Sequence, residues 1–326
     1  MTLRYGSFKR IDGSYPGSKA FDHSDLVEFK SFHNTMFKNT DASLEWLMWY
    51  LTRFDIEHKP IETRVYTLHD DDRLIGTWCV EPKKLAVKAG QYGPDTIDVG
   101  RCFSVGIHHD YQRRGLFMAL SKHAIEEERR LGQYEYVVGF PQIGKPVIDA
   151  HLRSGWERVQ AVEAWSYVPK KEIDQNSLKW THVISEFDVR KTRRSYVGSF
   201  LETDWYRDVR WLQHPDCKYI CIGSGTGYIV LKPYGSACHV LDVSGETDDV
   251  KQLLETAKTL TYRHRWQELT VWCAKNEALA SEIEAAGFRT GATFCKPVEA
   301  LAVRINAKAP LLLGSCHLQM CIEEIY

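Results

Sequence analysis

Two helix endings constrain this chain more than any other feature. "AHLRSGWERV" puts Gly155 after one short amphipathic run, and "SEIEAAGFRTG" puts Gly287 after another. Each glycine is followed by an aromatic residue, with an arginine within two positions of that ring. Glycine accepts the left-handed conformation that closes a helix, so both runs stop in the same way. The order of elements leading to each ending also repeats: a hairpin, an apolar strand, a long helix, a short buried strand, then the short helix. A further strand follows each copy. A plan used twice predicts two divergent copies of one mixed α/β unit.

In the first copy, "TRVYTLHDDDRLIGTWCVEP" reads as a hairpin turning at Asp70-Asp71-Asp72, and "DTIDVGRCFSVGI" as a strand. A helix runs from Gly115 to near Gly132, then come "YEYVVGFP", "KPVIDAHLRSGW" and "RVQAVEAWSYVP". Ahead of them, Asp25 to Phe54 is mainly helical, with Asp41 expected to cap a second helix. In the second copy "DWYRDVRWLQHP" is helical, "KYICIGSGTGYIVLKPYG" is a hairpin and "SACHVLDVSG" a strand. A helix capped by Asp248 or Asp249 follows, then "ELTVWCA", "NEALASEIEAAGFRT" and "TFCKPVEALAVRI". "GSGTG" lies between strands and opens no helix, so it reads as a hairpin turn and not a dinucleotide loop. Residues 170 to 198 are more polar, with a basic cluster from Arg190 to Arg194, and read as a solvated linker. The expected domains are therefore residues 1–170 and 171–326.

The 326 residues carry 42 basic and 43 acidic side chains, a formal charge of -1. That balance argues against a broad nucleic-acid footprint, while leaving room for a local basic site. The start of the chain has no apolar signal core, and no run is long enough to span a membrane. The nine cysteines are scattered. They read as free thiols, pointing to a reducing cytoplasm. Cys217 with Cys221, and Cys316 with Cys321, lack zinc-site spacing, so no metal is expected.

The chemistry concentrates in "VGIHHDYQRRGLFMAL". A helix start leaves backbone N–H groups unpaired and carries the positive end of the helix dipole. A tight turn there forms a nest for phosphate oxygens. Gly115 lets a ligand approach the backbone, and Arg113 and Arg114 add charge. An ordinary helix entry with solvated arginines would look the same on the turn alone.

The stretch resembles the acyl-CoA motif of the GNAT superfamily of N-acyltransferases, Q/R-x-x-G-x-G/A after a strand. Gln112, Gly115 and Phe117 fill the motif positions, and Ile107 and Tyr111 fit the lead-in. "AHLRSGWERV" is similar to that family's late helix end. The resemblance covers most of residues 1 to 170, and the second half looks like a degenerate copy without the turn. It implies an α/β (α+β) fold of two tandem GNAT-like domains, each a mixed, mostly antiparallel sheet flanked by helices. It also implies an acyl-CoA co-substrate carrying an acetyl or short hydroxyacyl group. Val105, Gly106 and Ile107 would pair with the pantetheine arm, Gly106 being suited to a bulge. The N–H groups of Gln112, Arg113, Arg114, Gly115, Leu116 and Phe117 would hold the pyrophosphate. Phe140, Pro141 and Gln142 would lie near the thioester.

Three positions depart from the family pattern. Phe117 replaces a small residue, which implies altered packing. His151 stands where a tyrosine often protonates the leaving thiolate, and imidazole can do that work. Arg101 stands where some members carry a basic glutamate; it would hold an anionic part of the acceptor or pair with an acid. Asp98, three residues earlier, becomes the candidate base, although strand alternation turns it to the other face.

The resulting expectation is an acyl-CoA-dependent N-acyltransferase acting on a small amine. Its looks resemble enzymes acting on nucleotide-linked amino sugars, which points to a dTDP- or UDP-linked acceptor between walls of arginine and tryptophan (Trp156, Trp165, Trp205, Trp211). The alternatives are an aminoacyl-tRNA-dependent transferase and a non-catalytic module that binds CoA or a metabolite. No nucleic-acid or membrane partner is expected otherwise. The rims of the late strands leave room for a homodimer.

Overall fold

The computed structural model describes residues 3–9, 19–20, 23–37, 42–51, 53–54, 60–61, 63–88, 95–169, 200–201, 219–224 and 227–309. The first half contains β1 (Leu3–Lys9), α1 (His23–Met36), α2 (Leu44–Leu51), β2 (Arg64–Asp70), β3 (Arg73–Lys88) and β4 (Asp95–Ile107). It continues with α3 (Leu116–Leu131), β5 (Tyr136–Gly139), α4 (Val147–Arg153) and β6 (Glu157–Tyr167). The second half contains β7 (Ile220–Ser224), β8 (Gly227–Tyr234), β9 (Ala237–Ser244) and α5 (Thr247–Arg263). It ends with β10 (Glu268–Cys273), α6 (Ala278–Ala285) and β11 (Val298–Arg304). No described helix is long and apolar enough to cross a membrane.

The repeated helix endings form as the sequence predicts. Gly155 and Gly287 adopt φ 86° and 88°. The N–H of Trp156 donates to the carbonyl of His151, and that of Phe288 to Ile283, so both ends close with the same six-to-one bond. Helix starts differ from expectation. At α2 the Ser43 hydroxyl accepts from the N–H of Trp46 at 2.9 Å. Glu246 precedes α5, with no side-chain cap bond; Asp248 and Asp249 lie within its first turn. Asp41, the linker with its basic cluster, the helix expected at 204–215, and Cys217, Cys316, Cys321, Trp205 and Trp211 lie outside the described residues.

The two halves do not keep separate sheets. One fourteen-stranded sheet runs β7-β8-β9-β10-β6-β11-β5-β4-β3-β2-β1, completed by three two-residue strands: Lys19–Ala20 beside β1, Phe200–Leu201 beside β3 and Arg289–Thr290 beside β6. The closing strands are exchanged. β11 from the second half pairs with β5 of the first, and β6 from the first pairs with β10 of the second. β6 and β11 pair with each other between them. The exchange is cemented by a shared core in which Tyr136, Val138 and Phe140 meet Tyr228, Val230 and Trp272.

Both central strands carry the same irregularity. Opposite Trp78 of β3, β4 places two residues, Ser104 and Val105, one more than the ladder needs, with Ser104 at φ 45°. Opposite the Val230/Leu231 step, β9 inserts Leu241. The bulge expected at Gly106 thus falls just before it, where the strand must bend away from its parallel neighbour.

Helices cover both faces. α3 and α4 pack Leu116, Leu120 and Ile148 against Trp78 and Trp156. On the other face α1 and α2 pack Phe29, Trp46, Leu47 and Tyr50 against Cys79 and Phe103. α3 is pinned by a buried cluster. The Glu128 carboxylate, fully buried, accepts from Arg64 Nε (2.8 Å), Arg64 Nη2 (2.6 Å) and the Tyr66 hydroxyl (2.8 Å). Glu128→Ala would leave the Arg64 charge buried with its main partner removed, so we expect a loss of about 3–5 kcal/mol in urea unfolding, largely restored in Arg64→Met/Glu128→Leu.

Three buried histidines make the fold acid-sensitive. Burial lowers His33, His151 and His239 to about 4 each; a weaker pull from Asn34 opposes it at His33, and Lys232 reinforces it at His239. The unfolded chain therefore takes up protons near pH 6.5 that the folded chain refuses until about pH 4. Their stabilising contribution is complete above pH 6.5 and is lost as pH falls toward 4, by up to about 1.4 kcal/mol per pH unit for each histidine. Denaturation midpoints should fall steeply between pH 6.5 and 4.5, and less steeply in His33→Phe.

Candidate active site

The site begins where β4 and β5 part. Their parallel pairing covers Val99–Arg101 against Tyr136–Val138. Beyond Arg101, β4 follows β3 to the pair Ile107 and Gly76, while Gly139 of β5 pairs with Leu301 of β11. The fork opens a cavity of about 140 Å³ between Cys102–Val105 on one side and Gly139–Pro141 on the other. His33, Phe37, Trp46 and Tyr50 close it from the α1 and α2 side, and Val147 and His151 from α4. The β5 wall is held by the exchanged strand: Glu299 N–H donates to the Pro141 carbonyl, and Ile143 N–H to that of Pro297, both at 2.9 Å.

The turn from β4 to α3 lies beyond the mouth of this fork. A short 3-10 turn, His109–Tyr111, leads to Gln112, whose Nε2 donates to the Ile107 carbonyl at 3.0 Å. Gln112 therefore ties the turn to the strand end. Arg113 (φ 62°) and Gly115 (φ 75°) both adopt the left-handed conformation. A Cβ at Gly115 would have nothing within 4 Å, so the space beside it is open. The first N–H groups of α3 have no earlier helical carbonyl to bond, and the exposed Arg113 and Arg114 flank them. Arg114 donates to the Asp110 carbonyl at 2.9 Å and lies over the Tyr111 ring.

The same position in the second half is built differently. β9 leaves β10 after Val240 and Val271, but only Gly245 and Glu246 separate β9 from α5. A Cβ at Gly245 would lie 2.8 Å from the Gly227 Cα, so the junction is closed. Glu246, Asp248 and Asp249 place negative charge where the first half has arginines.

The remaining expected residues separate into two groups. His151, Phe140 and Val105 line the cavity. Phe117 lies edge-on to the His151 ring at 5.1 Å, so the large residue at the motif position joins α3 to α4. His151 is also 4.3 Å from the Trp156 ring, and its Nδ1 has no hydrogen-bond partner among the described residues. Gly106 and Ile107 continue β4 above the bulge; Leu116 is buried under the turn, and Gln142 bridges Val298. Arg101 is buried and contacts Glu81 directly across the strand pair, with its guanidinium over Phe103. Asp98 sits below the fork, exposed, 2.8 Å from Lys84 Nζ. The structure does not bring Asp98 to the cavity. Trp156 and Trp165 are core residues, in separate clusters.

Sequence reasoning missed His33, Tyr50 and Trp46. They lie on α1 and α2, expected only as helices, and the fork places them on a cavity wall. It also missed the close grouping of His108, His109 and Asp110, whose ligand-type atoms lie within 4.8 Å. Arg73 occupies that corner, 2.9 Å from His108 Nε2 and 3.6 Å from Asp110, so a cation already stands beside those groups.

No protein-family model matches the sequence, and no curated protein matches it. Solved structures match its fold. A GCN5-related N-acetyltransferase from Anabaena variabilis superposes with a TM-score of 0.60 at 13% identity, covering 94% of this chain and 73% of that one. A tandem GNAT protein from the clavulanic acid biosynthesis pathway gives 0.60 at 13% identity, covering 94% and 99%. A GCN5-related N-acetyltransferase from Sphaerobacter thermophilus gives 0.54 at 11% identity, covering 95% and 98%. The chain has the tandem GNAT fold.

Proposed function

We propose that the chain is an acyl-CoA-dependent N-acyltransferase. One observation carries the reading: a strand fork, an open phosphate-type nest and a cavity lie in line along β4. The pyrophosphate would bind the N–H groups from Arg113 to Phe117, that of Gln112 being taken by the His109 carbonyl, with Arg113 and Arg114 adding charge. The pantetheine arm would lie along Val105–Ile107 and deliver its thioester to the cavity. The bulge takes Ser104 and Val105 out of register with β3, and an N–H group turned toward the cavity there would stabilise an oxyanion. Held near 4 by burial, His151 is neutral at ordinary pH. It would act as a hydrogen-bond partner of the departing sulfur more readily than as a standing acid.

Residues 1–170 would carry the co-substrate. Residues 171–326 would brace the cavity through β11, their own closed and acidic junction being unsuited to a pyrophosphate. The nucleotide-linked amino sugar expected from the sequence depended on arginine and tryptophan walls. Among the described lining residues of the cavity there is no arginine, and the only tryptophan is Trp46.

Calorimetry tests the donor site. Wild type should bind CoA and acetyl-CoA in the micromolar range. Gly115→Asn, which tolerates the left-handed conformation, should keep most of that affinity. Gly115→Glu should lose at least a hundredfold. No binding by wild type would overturn the reading.

A further inference from the structure

The cavity at the fork indicates what kind of acceptor it takes. We propose that it receives a compact, single-ring aromatic amine with the nitrogen bonded directly to the ring. This rests on the acyltransferase reading and goes beyond it in naming the acceptor class.

Size is the first argument. The space is about 140 Å³. An apolar cavity of about 150 Å³ holds one benzene ring, whereas sites for larger ligands run to roughly 300–1,000 Å³. The walls surround about one ring, and a larger acceptor would leave most of its bulk outside them.

The shape of the walls is the second. Trp46 and Tyr50 stack at 4.6 Å with only 16° between their planes, and Phe103 meets Tyr50 edge-on at 5.3 Å. Phe37 and Phe140 add two more aromatic surfaces from separate parts of the chain. Rings presented from several directions favour a flat guest, which gains both face and edge contacts.

Charge is the third. Among the described residues lining the cavity there is no carboxylate, lysine or arginine. Its two histidines, His33 and His151, are kept neutral by the same burial that a guest would experience. An alkyl ammonium would lose its hydration there without a counter-ion, which is costly. A nitrogen conjugated to an aromatic ring is already neutral near pH 7 and enters with its lone pair free. That also removes the need for a carboxylate base, which none of the described lining residues supplies and Asp98 is placed too far along β4 to supply.

The chemistry balances with these parts alone. The nitrogen lone pair forms a bond to the thioester carbonyl carbon, and the carbon–sulfur bond breaks. The electron pair leaves on sulfur, and the proton lost from nitrogen ends on it. The products are an aryl amide and the CoA thiol.

The test needs two independent readouts. Thiol release from acetyl-CoA would be measured with 4-methylaniline, benzylamine, cyclohexylamine and glucosamine. We expect kcat/KM for 4-methylaniline to exceed those for cyclohexylamine and glucosamine at least tenfold. Separately, fluorine NMR of 4-fluoroaniline would report occupancy without turnover. Its signal should broaden and shift with wild type, and the effect should disappear in Val147→Trp, whose added ring fills the cavity, while the variant keeps the wild-type urea unfolding midpoint. Should that variant fail to fold, Phe37→Trp should show the same loss. Faster turnover of glucosamine, with no response from 4-fluoroaniline, would overturn the aromatic acceptor and leave acyl transfer standing. A saturable fluorine response with no thiol release from any amine would support the ring site and count against the acyltransferase reading.

Discussion

The cavity depends on an unpaired strand edge being paired by a distant segment. β5 stays beside β4 for three residue pairs and then leaves it. A parting strand exposes N–H and carbonyl groups that must find other partners. β11 satisfies the outer edge of β5, pairing Leu301–Arg304 with Tyr136–Gly139. With that edge held, the inner side of the fork can remain open to a ligand. The second half thus serves the first without offering a comparable turn of its own.

The exchange also explains why one copy could lose its turn. β6 does for β10 what β11 does for β5. Each half supplies the other with a closing strand, and this contribution is independent of the junction between the central strand and its helix. Closing the β9–α5 junction with Gly245 against Gly227, and surrounding it with acids, leaves the strand exchange intact. Sequence change at that junction is therefore uncoupled from the architecture.

Much of this was legible in the residues, for local reasons. The helix endings at Gly155 and Gly287 were readable because a left-handed cap needs a particular residue in a particular place. The turn from Gln112 to Phe117 was readable because glycine, glutamine and arginine appear together at a helix mouth. What could not be read depended on contacts between remote segments. Nothing in "TFCKPVEALAVRI" says that its strand crosses into the other half, since an apolar strand has the same composition whichever edge it pairs. Arg101 had two possible roles in the sequence, and only the register placing it opposite Glu81 shows the partner it has. His33 looked like any histidine on an apolar helix face; the bulge at Ser104 turns that face into part of a cavity wall.

The strand exchange has a consequence for biosynthesis. Chains emerge from the ribosome from the amino terminus onward, and early parts begin to fold before later ones exist. Residues forming the nest, the bulge and most of the cavity lining are made well before β11. Until residues 298–304 appear, β5 has an unsatisfied outer edge, and β6 has neither of its long neighbours until β10 is made at residues 268–273. Unfilled edges of this kind invite pairing with other chains. The nascent first half must therefore pass through a vulnerable interval whose length is set by translation of the second, and ligand binding can offer little protection before that last strand docks.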